Sequence, residues 1–246
     1  MSSATFVTRA DKSALADAVA SRFIEVVAPL TEARDVHVSL TGGSMGIASL
    51  AAIAGHDDLR TVDWSRVHFW FSDERFVARV DGDRNTLQAR EALLDALPDA
   101  HVHEPWSTED GDLDDAALAY ASELERFAAA DASAPAFDVT FLGVGPDAHI
   151  ASLFPGRDEI HVESATVLPI RESPKPPSER VTFTLPIINA SKRVWLVVAG
   201  ADKSEAVALI RSGADPETAP AAAARGTAET IVFADDAAAA AASTDS

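Results

Sequence analysis

Four runs of β-branched and aromatic residues each stop at a glycine or a cluster of charges, and that punctuation leaves few folds open to the chain. Residues 36–40 run into Thr41-Gly42-Gly43-Ser44, 67–72 into Asp73-Glu74-Arg75, 137–142 into Gly143-Val144-Gly145, and 193–199 into Gly200-Ala201-Asp202-Lys203. Helical spacing fills the intervals. Apolar residues at 15, 19, 23, 26, 27 and 30 form one stripe over 11–30, and further helices are predicted over 45–54, 86–97, 112–130 and up to 211. Additional strands are expected at 166–170, 180–185 and 230–233. Strands alternating with helices, without an internal repeat or an interrupting linker, predict a single three-layer α/β domain over residues 1–235: a doubly wound, mostly parallel sheet with helices on both faces. Residues 236–246 read as an Ala-rich tail, expected to be partly disordered.

Composition excludes several functions. At 246 residues the chain can bury a substantial core. Twenty basic against 39 acidic residues leave a net charge of −19, so a phosphate backbone is a poor partner and no nucleic-acid binding is expected. The absence of cysteine rules out disulfides, thiolate catalysis and zinc ribbons. The opening MSSATFVTRADK lacks the apolar core of a signal peptide, and no apolar run approaches the roughly 20 residues of a membrane span. A cytoplasmic chain with no membrane partner is expected, a monomer with a dimer as the alternative. His101 and His103 would share one side of a strand, but spacing suggests no third ligand, so no metal site is expected.

The most informative stretch is 141–156, FLGVGPDAHIASLFPG. A buried strand ending in Gly-x-Gly places His149 at the carboxyl edge of the sheet, where open α/β sheets bind ligands. Histidine is largely neutral near pH 7 and able to accept a proton. Asp147 either orients that imidazole or caps a short apolar helix expected behind it. At 41–46 a strand, two glycines and a helix start offer free N–H groups and the positive end of a helix dipole, a berth for phosphate. Gly42-Gly43-Ser44-Met45-Gly46 also satisfies G-x-S-x-G, the nucleophile elbow of serine hydrolases, although no His-Gly-Gly oxyanion segment accompanies it.

Three charges at 73–75 after an apolar strand are hard to bury unless paired, and Arg75 offers a planar fork for phosphate or carboxylate. Asn85 is placed as the cap of the following helix. Prolines at 174–177 predict a surface lobe ahead of Arg180. Asp202 and Glu205 have capping-box spacing, which puts Lys203 in the first helical turn, where a cation opposes the dipole unless an anion binds beside it.

LTGGS, SDER, DRNT, GVGPDAHIASLFPG, RVTFTLP and AGADK, in that order and across nearly the whole chain, resemble the 6-phosphogluconolactonases. The resemblance implies a Rossmann-like three-layer fold shared with glucosamine-6-phosphate deaminases, no cofactor, and hydrolysis of 6-phospho-D-glucono-1,5-lactone to 6-phosphogluconate. It further implies that His149 is the general base, and that Thr41, Gly42, Gly43, Ser44, Asp73, Arg75, Asn85, Arg180 and Lys203 surround the phosphosugar. One departure stands out. That family usually carries Asp-Gly-His, whereas Ala148 stands here, and its methyl group predicts an ordinary backbone conformation at that position. The deaminases share the G-x-G-x-D-x-H loop but follow it with a glutamate-containing Phe-Asn-Glu-Pro segment. Here the corresponding residues are Ser152-Leu153-Phe154-Pro155, and a phenylalanine transfers no proton. A non-catalytic sugar-phosphate-binding protein is the other alternative, and it would have no need of His149.

Overall fold

Side chains alternate sides along a strand, so each central strand feeds two cores. In the computed structural model, which describes residues 4–240, Val139 and Phe141 fall in one buried cluster and Leu142 in another. Trp195 and Val197 oppose Val194, Leu196 and Val198 in the same way.

In chain order the elements are β1 Thr5–Arg9, α1 Lys12–Thr31, β2 Val36–Leu40, α2 Gly43–Ala54, β3 Val67–Phe71, β4 Asp73–Arg75, α3 Asn85–Ala92, β5 His101–Val102, α4 Leu113–Arg126, β6 Val139–Gly143, β7 Val167–Ile170, β8 Arg180–Phe183, α5 Leu185–Asn189, β9 Arg193–Val198, α6 Ser204–Ser212, α7 Pro220–Ala223, β10 Glu229–Asp235 and α8 Asp236–Ala239. Seven strands form a wholly parallel sheet in the order β1-β10-β9-β6-β2-β3-β5. Helices α1 to α3 contribute Phe23, Leu50 and Ala89 to one core, while α4 to α8 contribute Leu124, Ile188, Val207, Ala221 and Ala238 to the other. This is the three-layer, doubly wound architecture expected. Strand order reverses beside β2, with β3 on one side and β6 on the other. Such a reversal opens a crevice at the carboxyl ends of the strands.

Several local expectations need correction. β1 was not anticipated; it is a partly exposed edge strand, and its alternation is too short to stand out. Residues 180–183 do not join the main sheet but pair antiparallel with β4 and β7 in a second, three-stranded sheet, in which Asp73–Arg75 is an edge strand. No helix follows His149. Residues 144–153 fold as turns with isolated bridges from Val144 to Ile150 and from Ile150 to Leu153. Ala148 (φ 60) and Ala151 (φ 47) are left-handed, which no right-handed helix accommodates, so the ordinary conformation expected of Ala148 is also wrong.

Its surroundings fix that conformation. Ala148 is fully buried, its N–H donates to Gly145 O at 3.0 Å, and its carbonyl accepts from Ala221 N at 3.0 Å. At the other end of the chain, Asp235 caps α8 by accepting from Ala238 N at 2.8 Å, so the tail begins as an ordered turn. Residues 241–246 of that tail lie outside the described residues. Among the described residues no helix is long and apolar enough to cross a membrane.

Candidate active site

The ends of β2, β3, β6 and β9 converge on a cleft of about 310 Å³. Thr41, Gly42, Gly43 and Ser44 line it after β2, Asp73, Arg75 and Asn85 after β3, His149 after β6, Lys203 after β9, and Arg180 from β8. Of the residues singled out from sequence only Asp147 stands back from the lining. It reaches the cleft through His149, whose Nδ1 lies 2.5 Å from Asp147 Oδ1.

That contact settles what Asp147 touches. With no helix behind it there is nothing to cap, and the carboxylate accepts from the imidazole instead. Burial works against its charge, but the bonds from His149 and then from Lys175 hold Asp147 well below the usual carboxylate range. With Nδ1–H engaged by Asp147, the neutral ring carries its lone pair on Nε2. The Phe154 ring packs against the imidazole with centroids 4.6 Å apart. Gly145 leaves room for the pair: a Cβ there would stand 2.0 Å from His149 Nδ1 and 2.4 Å from Asp147 Oδ1.

Two helix starts face this region, and they differ. The first N–H groups of any helix lack intrahelical partners. At α3 they are taken: Glu74, fully buried, accepts from Asn85 N at 2.7 Å and Thr86 N at 2.8 Å, and also from Arg75 N at 2.7 Å. Glu74 is therefore the cap, and Asn85, expected in that role, is the first helical residue. Its amide instead donates to Asp73 O at 2.8 Å. At α2 the cap is Gly42, without any side-chain bond, and Gly42 to Met45 line the cleft. Gly42 also permits close approach to Asn85, whose Oδ1 would lie 1.8 Å from a Cβ at that position. Thr41 ties two strand ends together, its Oγ1 accepting from Gly143 N at 3.0 Å.

The cationic residues divide by how fully they are engaged. Arg75 donates through Nη1 to Asp83 O, and its Nε is buried without a protein partner. Lys203 precedes α6 as its cap residue rather than lying in the first turn, and pairs with Asp202 at 3.3 Å; the expected capping box does not form. Arg180 is almost fully buried and bonded to its own chain. Its Nη2 donates to Lys175 O at 2.9 Å and Pro176 O at 3.2 Å, its Nε donates to Pro177 O at 3.1 Å, and Asp73 lies 3.8 Å from Nη1. Asp73 in turn accepts from Ser152 Oγ at 2.8 Å. Asp73 and Arg180 thus line the cleft while mainly holding its walls together.

Sequence reasoning missed two participants. Lys175, in the proline lobe, places its Nζ 3.1 Å from Asp147 Oδ1 and 3.2 Å from His149 Nδ1. The available signal was a lysine between prolines in a chain with very few lysines. Glu74 was grouped with its charged neighbours, and only its burial separates it from them. The two histidines considered as a metal pair have separate partners: His101 Nε2 lies 3.1 Å from Ser65 O. His103 Nε2 shares a hydrogen bond with His68 Nδ1 at 3.0 Å and His103 Nδ1 one with Glu123 at 3.0 Å, and no metal-binding group of three side chains occurs among the described residues.

The cleft combines a hydrogen-bonded carboxylate–imidazole pair with an open helix start and the cations Arg75 and Lys203 beside the more fully engaged Lys175 and Arg180, a set suited to a small phosphorylated substrate that needs proton transfer. Comparison with known proteins places the chain in a family. Residues 10–233 match the family model described as glucosamine-6-phosphate isomerases/6-phosphogluconolactonase. A 6-phosphogluconolactonase of Streptomyces coelicolor is 44% identical over 242 residues, covering 95% of this chain and 92% of that protein. One of Mycobacterium tuberculosis is 42% identical over 228 residues, covering 90% and 91%. The crystal structure of the Thermotoga maritima 6-phosphogluconolactonase superposes with a TM-score of 0.80 at 25% identity, covering 94% of this chain and 99% of that one.

Proposed function

Since the chain belongs to the glucosamine-6-phosphate isomerase/6-phosphogluconolactonase family, we propose that it hydrolyses 6-phospho-D-glucono-1,5-lactone to 6-phosphogluconate, with His149 activating water directly. The observation that carries this is the Asp147–His149 pair in the same cleft as the open start of α2. A δ-lactone is an activated ester, so no covalent intermediate is required. His149 Nε2 takes a proton from water as its oxygen bonds to C1. The tetrahedral intermediate then collapses, C1–O5 breaks, and the same proton passes to O5, giving the open-chain acid. Asp147 orients the ring and stabilises the transient imidazolium. The phosphate rests on the N–H groups of Gly43 to Met45, with Arg75 and Lys203 beside it; binding there orients the reacting carbon some distance away.

Phe154 favours this reaction over deamination. It occupies the position of the deaminase glutamate and is buried against His149. Ser44 is disfavoured as a nucleophile because, among the described residues, its hydroxyl makes no hydrogen bond to His149 and it sits in the first turn of α2, where the phosphate is proposed to rest. Every group named comes from one chain, which supports turnover by a monomer, and the reading includes a cytoplasmic location.

His149→Ala tests the proposal. Lactone hydrolysis above the spontaneous background should fall by about 10²–10⁴-fold near neutral pH, while 6-phosphogluconate still binds. Unchanged turnover removes His149 from the mechanism.

A further inference from the structure

The lobe that carries Lys175 is built to hold a definite position. Ser173 N donates to Ser178 O at 2.9 Å and closes it at the base, while Lys175 N donates to Ser173 Oγ at 3.3 Å. Inside the loop, the Arg180 guanidinium takes the carbonyls of Lys175, Pro176 and Pro177 in succession. Three carbonyls on one buried, planar donor group leave the lobe little freedom. The side chain it presents reaches the cleft at Asp147 and His149.

Granting the water-activating role of His149, on which this inference rests, we propose that Lys175 is a positioning residue for the Asp147–His149 pair, and that Arg180 serves catalysis by holding the Lys175 lobe. Asp147 Oδ1 accepts from both the imidazole and the ammonium. The ammonium supplies the countercharge for the carboxylate, so the pair is balanced with the imidazole neutral, the form that can accept a proton from water. Without Lys175, the carboxylate faces the ring alone and draws a proton onto it. The double contact also fixes the rotation of the carboxylate, and with it the direction in which Nε2 points. The other charged groups near the pair are Arg180, whose guanidinium carbon lies 5.8 Å from the Phe154 ring centre, and Asp73, Arg75 and Lys203 along the same cleft. None of these is hydrogen-bonded to Asp147.

The test compares Lys175→Met, Lys175→Arg and His149→Ala with the wild-type chain, measuring kcat and KM for the phosphorylated lactone across pH. Lys175→Met should lose roughly 10- to 100-fold in kcat, part of the 10²–10⁴-fold available to general base catalysis, with KM within about threefold of wild type. The acidic limb of its kcat/KM profile should move to higher pH, and Lys175→Arg should restore both. A rise in KM with kcat and the acidic limb unchanged overturns the inference and assigns the ammonium to phosphate binding. Wild-type kinetics in Lys175→Met with an inactive His149→Ala also overturns it, leaving the His149 mechanism intact. An active His149→Ala defeats that mechanism, and this inference with it.

Discussion

Acid should weaken this fold before its carboxylates titrate, because of a file of stacked histidines far from any proposed chemistry. His37, His68 and His101 occupy paired positions on β2, β3 and β5, with ring centroids 4.8 and 4.4 Å apart. Trp70 Nε1 donates to His37 Nδ1 at 3.1 Å, so that nitrogen must carry a lone pair. Burial, and then neighbouring histidines, lower His37 and His68 from 6.5 to about 4 each, and His68 is only 8% exposed. The rings are therefore favoured as neutral in the folded state. Stability is complete above the unfolded value of 6.5, falls as pH drops toward 4 because the unfolded chain takes up protons first, and levels off below that.

The gap between 6.5 and about 4 amounts to roughly 3 kcal/mol per ring once fully developed. Between pH 7 and pH 5 about 2 kcal/mol per ring should be lost, or roughly 4 kcal/mol for the two. Urea unfolding at the two pH values measures it, and His68→Gln should retain less than half of the difference, because His68 is itself one cause of the lowering at His37. A folding free energy that is flat from pH 7 to 5, or a His68→Gln chain with the full wild-type loss, would refute the reasoning. Lowered carboxylates such as Asp147 and Asp138 lose their contribution only at lower pH, as it falls through their depressed values, while burial raises Glu74, which works in the opposite sense and cancels in the comparison of wild type with His68→Gln.

Two further outcomes follow from space and burial. Gly145→Ala should displace the Asp147–His149 pair and reduce kcat by about 100-fold or more, with product binding retained; a kcat within threefold of wild type would show that the pair need not sit where it does. Glu74→Ala leaves Arg84, 3.7 Å away, and three backbone N–H groups without their acceptor, at a cost of about 3–5 kcal/mol in urea unfolding. A cost below about 1 kcal/mol would mean that Glu74 is not the cap it resembles.

What could be read from the chain depended on how local its cause was. β2, β3, β6 and β9 are β-rich runs closed by glycine or charge, and their order already implied a parallel sheet and a cleft at its edge. His149, Thr41 to Ser44 and Arg75 were legible for the same reason, since each comes within a few residues of the end of β6, β2 or β3. The turn at 146–153 was not, because Ala148 is left-handed only through bonds to Gly145 and Ala221, and the latter is remote in sequence. The capping role passed from Asn85 to Glu74 for a related reason: burying a carboxylate against three N–H groups is a tertiary event that helix-start statistics do not contain. Lys175 was hidden because prolines signal a break in regular structure, not the place to which the broken segment returns.

The pairing of Arg75 with Arg180 on β4 and β8 fixes the distance between the proposed phosphate grip and the lobe that Arg180 holds. That distance is set by one rung of an antiparallel ladder rather than by the long path of chain joining the two arginines. Connections along that path that stand away from the cleft, such as the one between β5 and α4, can lengthen or shorten without altering that distance, whereas a one-residue slip of β4 against β8 would misalign both ends at once.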